Sequence, residues 1–243
     1  MSAVRRIRSR TKRLLKRLYR PEAVDSKASY SQCGEDRIIA FLFQKLQIPR
    51  PTYLDLGANE PVALSNTYLF YRHGSRGVCV EADPALCRKF RRKRPRDVCL
   101  NVAVAAESGA AMLLHVFERS ASGLTTLSQE WAEHGQKAGG YQIKSTVSVP
   151  TVGINDLLRE NFPSPPNLLS VDIEGLDLAV LERIDLRSCR PDVICAETFV
   201  PFAPETGFKD VGISERLHSQ GYRVFADTWI NTIYVPEEKF PAL

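Results

Sequence analysis

The sequence predicts an α/β fold in which helices cover both faces of a mainly parallel β-sheet. Short apolar segments alternate with segments of helical periodicity along most of the chain, and this repeated strand-then-helix order is typical of parallel sheets. The last two apolar segments are instead joined by a short turn, which predicts an antiparallel hairpin. Together these patterns favour a Rossmann-like fold with one antiparallel C-terminal hairpin strand.

Length and composition are those of a globular protein. The 243 residues suffice for one α/β domain, and 44% hydrophobic with 25% charged residues excludes disordered or fibrous classes. No apolar run approaches the roughly 20 residues that span a bilayer, and the N-terminus lacks the apolar core of a secretory signal. None of the six cysteines forms a C-x-x-C pair, so we expect no zinc ribbon and a reduced, cytoplasmic setting.

Residues 1–22 form a separate basic arm in this prediction, and residues 23–243 form a single domain. Residues 1–20 hold nine Lys or Arg and no acid, which leaves 24 basic and 28 acidic residues for the rest of the chain. Apolar residues of the arm, ending with Leu18, fall on one helical stripe that Pro21 terminates. Such a helix suits an anionic membrane surface or an acidic partner; a solvated disordered arm and a transit peptide are the alternatives.

The periodicity predicts the elements in chain order. The first half has a helix at 31–47, a strand at 53–56, a helix at 66–71, a strand at 77–82, a helix from Pro84 to Arg92, and strands at 98–104 and 111–117. Residues 120–145 are polar and without a clear period, which indicates a surface excursion or lid. The second half has strands at 146–152, 168–171 and 193–196, helices at 155–161, 176–184 and 211–219, and hairpin strands at 222–226 and 232–235.

The strongest local motif is YLDLGANE at residues 53–60, an apolar strand that runs into a turn at Gly57. Asp55 near the end of this strand can accept hydrogen bonds from a ligand, and glycine lets a ligand approach the backbone closely. The second strand ends with Glu81, 24 residues after Gly57. An acid at this point of a dinucleotide-binding fold binds the ribose hydroxyls, so we expect an adenosine-type ligand.

The same motif argues against a ligand with phosphates. A dinucleotide requires G-x-G-x-x-G, whereas Asn59 and Val62 occupy the second and third glycine positions, and no P-loop is present. One glycine flanked by Asp and Asn suits S-adenosylmethionine, which has a ribose, a sulfonium and an amino acid but no phosphate. A plain strand-to-turn junction at Gly57 and a solvated Glu81 are the structural alternatives.

Five short motifs occur in an order that is similar to a known family. They are SQCGED at 31–36, YLDLGAN at 53–59, SNT at 65–67, VEADP at 80–84 and SVDIEG at 170–175. They resemble the FkbM-type S-adenosylmethionine-dependent methyltransferase family over roughly residues 30–235. The resemblance implies a class I methyltransferase fold and O-methylation of a sugar, glycan or polyketide-like small molecule.

The resemblance also implies cofactor contacts. By position these are Asp55, Gly57, Asn59 and Glu81, with Gln32 and Glu35 closing over the same pocket. Helix capping and surface charge are the alternative roles of Gln32 and Glu35. Ala82 stands where the family often has proline, and the basic arm is outside the resemblance.

Three carboxylates are the candidates for catalysis. Asp172 and Glu174 follow the fourth core strand and Glu197 ends the fifth, so all three should face the crevice at Gly57. Asp172 is the first choice for a general base, and we also expect it to contact the cofactor. If a metal is bound, these oxygen ligands suit Mg²⁺. A helix N-terminus that favours acids is the structural alternative for Glu174.

Less specific candidates lie in the polar segments. His134, residues 122–126, Asn231 and Thr232 are placed where they could contact the acceptor, although a surface position or a plain polar loop is the simpler explanation. A second basic run from Arg88 to Arg96 raises a nucleic-acid methyltransferase as a rival, but the N/D-P-P-Y/F motif of its amino-methylating members is missing after the fourth strand. We therefore do not expect nucleic acid as a partner. A non-catalytic cofactor-binding scaffold docking through the arm, and a dehydrogenase, remain as alternatives.

Overall fold

A computed structural model describes residues 28–105, 108–109, 111–118, 124–137, 139–201 and 204–242. Its ten strands, numbered in chain order, are β1 (Tyr53–Leu56), β2 (Gly77–Val80), β3 (Val98–Leu100), β4 (Ala103–Ala105), β5 (Ala111–Phe117), β6 (Ile143–Gly153), β7 (Leu168–Val171), β8 (Val193–Glu197), β9 (Tyr222–Asp227) and β10 (Asn231–Pro236). Its seven α-helices are α1 (Glu35–Lys45), α2 (Tyr68–Arg72), α3 (Pro84–Lys93), α4 (Gln129–Lys137), α5 (Ile154–Asn161), α6 (Asp177–Arg183) and α7 (Val211–Ser219).

The main sheet has seven strands in the order β3-β2-β1-β7-β8-β10-β9. The first five of these strands pair in parallel, whereas β10 is antiparallel to both β8 and β9. Helices α1, α2 and α3 pack on one face through apolar residues, and α5, α6 and α7 pack on the other. The predicted fold class is therefore confirmed, including the antiparallel C-terminal strand.

The strand predicted at 98–104 is wrong in one respect, because the chain breaks there into β3 and β4. Asn101 lies at the break, and its side-chain amide donates hydrogen bonds to the carbonyl oxygens of Glu81 and Ala82, both at 2.9 Å. β4 then joins a separate three-stranded sheet of order β4-β6-β5, which the sequence did not predict. This small sheet stands beside the C-terminal ends of β1 and β2 and forms one wall of the cavity described below.

The polar segment 120–145 contains a helix, α4, where we expected a region without regular structure. The hydroxyl of Ser128 accepts a hydrogen bond from the backbone N–H of Trp131 at 3.2 Å and so satisfies a free donor of the first turn. Ala132 is the one fully buried residue of this helix. A helix that buries so little has no apolar stripe, which explains why periodicity did not predict it.

The basic run of α3 divides into exposed residues and one buried residue. Arg94 is only 1% exposed, and its guanidinium binds the carboxylate of Asp97 at 2.7 Å. It also donates to the hydroxyl groups of Tyr53 at 3.1 Å and Thr67 at 3.0 Å. The sequence run hides this difference, because Arg94 connects α3 to β1 and α2 whereas its neighbours face outward.

The predicted arm, residues 1–22, lies outside the described residues, as do residues 122 and 123 of the loop at 122–126. Within the described ranges, no helix is both long and apolar enough to cross a membrane. Because the arm lies outside the described residues, the boundary between the arm and the domain stays a prediction.

Candidate active site

A cavity of about 680 Å³ opens at the C-terminal ends of the parallel strands. It lies where the strand order reverses between β1 and β7, the usual ligand position in open α/β sheets. Its walls come from the strand ends, from the small sheet and from α4. Lining residues with polar side chains include Gln32, Asn59, Glu81, Thr125, Thr126, His134, Asp172, Glu174 and Glu197.

The floor of the cavity is the turn at Gly57. This residue has a φ of 72°, and a Cβ placed on it would lie 1.7 Å from the carbonyl oxygen of Asp172. The backbone N–H groups of Gly57 and Ala58 both donate to the carbonyl oxygen of Val80 at 3.1 Å. The turn therefore locks β1 against β2 and the β7 loop, and only glycine fits this position.

Glu81 lies beside this turn and is only 7% exposed. Its two carboxylate oxygens accept hydrogen bonds from the backbone N–H groups of Asn59 at 2.8 Å and Asp83 at 2.7 Å. Burial raises the pKa of Glu81 to about 7, although these hydrogen bonds act in the opposite direction. Each oxygen retains a lone pair for a ligand hydroxyl.

Asn59 contributes an unsatisfied polar atom to the same region. Its backbone is left-handed, with a φ of 49°. Its side-chain oxygen Oδ1 is buried and has no hydrogen-bond partner among the described residues. Such an atom is costly to bury unless a ligand or water satisfies it, so it marks a binding position.

Asp172, Glu174 and Glu197 come together in the cavity lining. One carboxylate oxygen from each lies within 4.8 Å of the others. Burial, together with the negative charge of Asp177, raises the pKa of Asp172 to about 7, while hydrogen bonding with Glu197 acts in the opposite direction. Burial and the neighbouring carboxylates also raise the pKa values of Glu174 and Glu197 well above their usual range.

The loop that carries Asp172 and Glu174 is held by Asp177 and by helix α4. The carboxylate of Asp177 accepts the backbone N–H groups of Ile173 at 3.1 Å and Gly175 at 3.2 Å. Trp131 of α4 donates its indole N–H to the Glu174 carboxylate at 3.0 Å. A Cβ on Gly175 would lie 2.5 Å from the Trp131 ring, so glycine at this position lets helix α4 approach the loop.

Sequence reasoning missed Trp131, and it did not predict that the hydroxyl of Thr126 donates to the backbone oxygen of Glu174 at 2.7 Å. No local motif marks either contact, because Glu174 lies more than 40 positions away from both residues in the sequence. Glu174 itself has a φ of 51°, an uncommon backbone conformation for a residue with a side chain. The contacts from Trp131 and Thr126 therefore hold the Glu174 carboxylate in the cavity although its backbone conformation is unfavourable.

Two predicted cofactor contacts, Asp55 and Glu35, are not among the residues that line the cavity. Asp55 is buried and accepts a hydrogen bond from Thr67 at 2.5 Å; burial raises its pKa, while the charge of Arg94 opposes this. Its position supports β1 and α2 beneath the cavity floor. A direct contact of Asp55 with the cofactor stays a prediction.

Glu35 connects the start of α1 to the C-terminal hairpin. Its carboxylate accepts hydrogen bonds from Thr228 at 2.6 Å, the backbone of Cys33 at 2.8 Å and Asn231 at 3.1 Å. Burial opposes its ionisation, yet these hydrogen bonds bring the pKa of Glu35 below its usual range. Glu35 therefore anchors the start of α1, and its closure over the pocket stays a prediction, whereas Gln32 does line the cavity.

The less specific candidates divide in the same way. His134 and Thr126 line the cavity. Asn231 is buried against Glu35, and Thr232 is hydrogen-bonded to Thr198 at 2.7 Å, so both belong to the hairpin's packing. Acceptor contacts of Asn231 and Thr232 stay a prediction.

Comparison with solved structures finds methyltransferases at low similarity. The O-methyltransferase from Bacillus cereus in complex with SAH is 15% identical, with a TM-score of 0.41 over 91% of this chain and 88% of that one. A TehB-like SAM-dependent methyltransferase from Corynebacterium glutamicum is 8% identical, with a TM-score of 0.43 over 94% and 97%. Magnesium protoporphyrin IX methyltransferase from Synechocystis with bound SAM is 11% identical, with a TM-score of 0.39 over 83% and 77%. At these values the similarities carry no functional conclusion.

Among curated proteins, none matches this sequence. The family comparison is decisive, because the model of the methyltransferase FkbM domain matches residues 55–224. The match begins at the residue that precedes the Gly57 turn and spans Glu81 and all three clustered carboxylates. This chain belongs to the FkbM methyltransferase domain family.

Proposed function

We propose that this protein transfers a methyl group from S-adenosylmethionine to a hydroxyl group of a small-molecule or glycan acceptor. The observation that carries the proposal is that one cavity is lined by Glu81 and by the carboxylates of Asp172 and Glu197. An adenosine-binding acid and a candidate base therefore open onto the same space. This arrangement is what methyl transfer to a hydroxyl group requires.

The chain's own residues fit the cofactor. Glu81 has free lone pairs for two ribose hydroxyls, Gly57 leaves room for a ligand against the backbone, and the unsatisfied Oδ1 of Asn59 can accept a donor. No phosphate-binding glycine motif is present. When bound, S-adenosylmethionine supplies an electrophilic methyl group on a sulfonium.

Asp172 is the candidate general base. A hydrogen bond between the carboxyl groups of Asp172 and Glu197 requires that one of them is protonated, as in other carboxyl pairs. With a pKa of about 7, Asp172 can accept the proton of an acceptor hydroxyl near neutral pH. Glu174, fixed by Trp131 and Thr126, is placed to orient that hydroxyl.

A bound Mg²⁺ is the alternative way to use the same three acids. Carboxylate oxygens within 4.8 Å of one another are suitable ligands for a hard cation, which would lower the pKa of a coordinated hydroxyl. The two mechanisms differ in one measurement. Exhaustive treatment with EDTA leaves turnover unchanged if the shared proton operates, and abolishes it if a cation is required.

Much of the cavity lining is apolar. It includes Leu114, Leu124, Leu127, Tyr141 and Phe199. Apolar walls with few polar groups favour a ligand that buries an apolar body and presents one hydroxyl. This supports a polyketide-like compound or a sugar carried on an apolar group as the acceptor.

Isothermal titration with S-adenosylmethionine and its demethylated product tests the proposal. Glu81→Gln keeps the shape of the side chain but removes the charge that binds the ribose, so we expect both affinities to fall by roughly ten- to a hundredfold. Glu160→Gln, at an exposed position of α5, is the matched control and should bind like the wild type. The absence of heat with either compound in the wild type would refute cofactor binding.

A further inference from the structure

Helix α3 presents a basic face to solvent. Arg88, Arg91, Arg92 and Lys93 are exposed, and none of them forms an ion pair or a side-chain hydrogen bond within the described residues; we call these four the α3 basic face. Arg88 lies three and four positions before Arg91 and Arg92, so the three side chains are neighbours on the helix surface. Like charges at this spacing destabilise a helix, and an anionic partner would relieve the repulsion.

The charge of the chain is strongly separated. Residues 72–96 hold nine Lys or Arg and two acids, whereas residues 97–243 hold 11 Lys or Arg and 20 acids. Two of the nine cations are neutralised, because Arg94 pairs with Asp97 and Lys89 pairs with Glu60. The remaining cations concentrate at α3 and the loops beside it. An anionic surface would therefore meet this side of the molecule and be repelled by the rest.

The sequence that precedes the described residues has a charge of the same sign as this face. The described chain begins at residue 28, and the hydroxyl of Tyr30 accepts a hydrogen bond from Arg72 at the end of α2. The end of α2 in turn contacts the segment after α3, since Arg96 stacks over the ring of Tyr71 at 3.9 Å. The 27 preceding residues contain ten Lys or Arg and two acids.

We propose that the α3 basic face docks this protein on an anionic lipid bilayer. A flat, negatively charged surface can contact an outward-facing helix, and its headgroups are the ligands for the four cations. The leucines in the adjoining arm would add a second, apolar attachment, and stable anchoring generally needs two such signals. The inference does not depend on the methyl-transfer chemistry.

Nucleic acid is the less favoured partner for this face. Binding of single strands uses aromatic side chains in a groove, but Phe90 of α3 and Tyr71 of α2 are both buried. Leu14, Leu15 and Leu18 of the preceding sequence have no use in contacts with phosphates, whereas leucines can insert among lipid chains.

Vesicle sedimentation with the full-length chain tests the proposal. The probes are vesicles of phosphatidylcholine alone and vesicles with about one third phosphatidylserine. The test variant is Arg88→Gln/Arg91→Gln/Arg92→Gln. The matched control is Lys144→Gln/Arg183→Gln/Arg187→Gln, which removes the same charge from exposed positions elsewhere.

We expect the wild type to sediment only with the phosphatidylserine vesicles, and less so as NaCl increases. Each arginine at a surface of this kind contributes about fivefold, so the test variant should partition about 100-fold more weakly and the control within about threefold of the wild type. Wild-type-like binding of the test variant, or no binding of the wild type, would overturn the proposal. So would equally tight binding to a short DNA duplex with the same sensitivity to the test variant, which would assign the face to nucleic acid.

Discussion

Alanine at position 57 should damage the fold and the cofactor site together. The backbone of Gly57 is left-handed, with a φ of 72°, and this conformation costs a residue with a side chain about 1–2 kcal/mol. The added Cβ would also lie 1.7 Å from the carbonyl oxygen of Asp172, far inside any real contact distance. The strand end or the β7 loop must therefore move, and both of them line the cavity.

Gly207→Ala separates these two effects. Gly207 has a similar φ of 67°, but a Cβ there would have nothing within 4 Å. We expect Gly207→Ala to lower the free energy of unfolding by about 1–2 kcal/mol, and Gly57→Ala to lower it by at least about 2 kcal/mol more. The difference between the two losses in free energy of unfolding measures the clash with the Asp172 carbonyl oxygen alone.

Urea unfolding gives the stabilities, and titration with S-adenosylhomocysteine gives the affinities. Gly57→Ala should bind S-adenosylhomocysteine at least about tenfold more weakly, because the floor of the cavity must move to accommodate the added Cβ. Gly207→Ala should retain wild-type affinity. Equal stability losses in the two variants, or unchanged affinity in Gly57→Ala, would refute the idea that the Gly57 turn forms the cofactor floor.

Three further predictions concern the acids and the buried arginine. Asp172→Asn should lower turnover by about 100- to 10,000-fold in a methyl-transfer assay, the contribution of a positioned base; wild-type turnover would exclude that role. The pKa of Glu197 is higher in the folded than in the unfolded protein, so the wild type loses stability as the pH rises and this carboxyl ionises. Gln cannot ionise, so the stability of Glu197→Gln relative to the wild type, measured by urea unfolding, should increase between about pH 5 and pH 8. Arg94→Met leaves Asp97 buried and unpaired and should cost about 3–5 kcal/mol on thermal unfolding, whereas exposed Arg92→Met should change stability by less than about 0.5 kcal/mol.

The sequence predicted the parts of the site that depend on local chain geometry. Gly57, Glu81, Asp172 and Glu197 all lie at or just beyond the ends of parallel strands, and the topology brings such positions to one edge. A strand pattern and a glycine are sufficient to place them. The same local reasoning gave the fold class and most helices and strands to within a few residues.

The contacts that the sequence did not predict join residues that are distant in the chain. Glu35 looks like a signature residue, but its partners Thr228 and Asn231 lie 193 and 196 positions away. Arg94 looks like one more cation in a basic run until the sheet brings Tyr53 beside it. No periodicity encodes such contacts, since they exist only after the sheet and its helices have assembled.

The charge of the cavity provides one more test of the proposed reaction. Its described lining includes the four carboxyl groups of Glu81, Asp172, Glu174 and Glu197, and no lysine or arginine. The raised pKa values of these acids reflect burial without a nearby cation, and a positively charged ligand would favour their ionised forms.

S-adenosylmethionine carries a sulfonium charge that its demethylated product lacks, so the cavity should release one more proton on binding the donor than on binding the product. Ionisation of Glu81 affects both compounds, because both have the ribose. If Asp172, with a pKa of about 7, must ionise beside the sulfonium, donor affinity should increase between about pH 6 and pH 8 by about tenfold more than product affinity. Titrations of both compounds across this range measure the difference. Identical pH dependence for donor and product would mean that these acids do not face the sulfonium, and the carboxylate side of the cavity would then require another role.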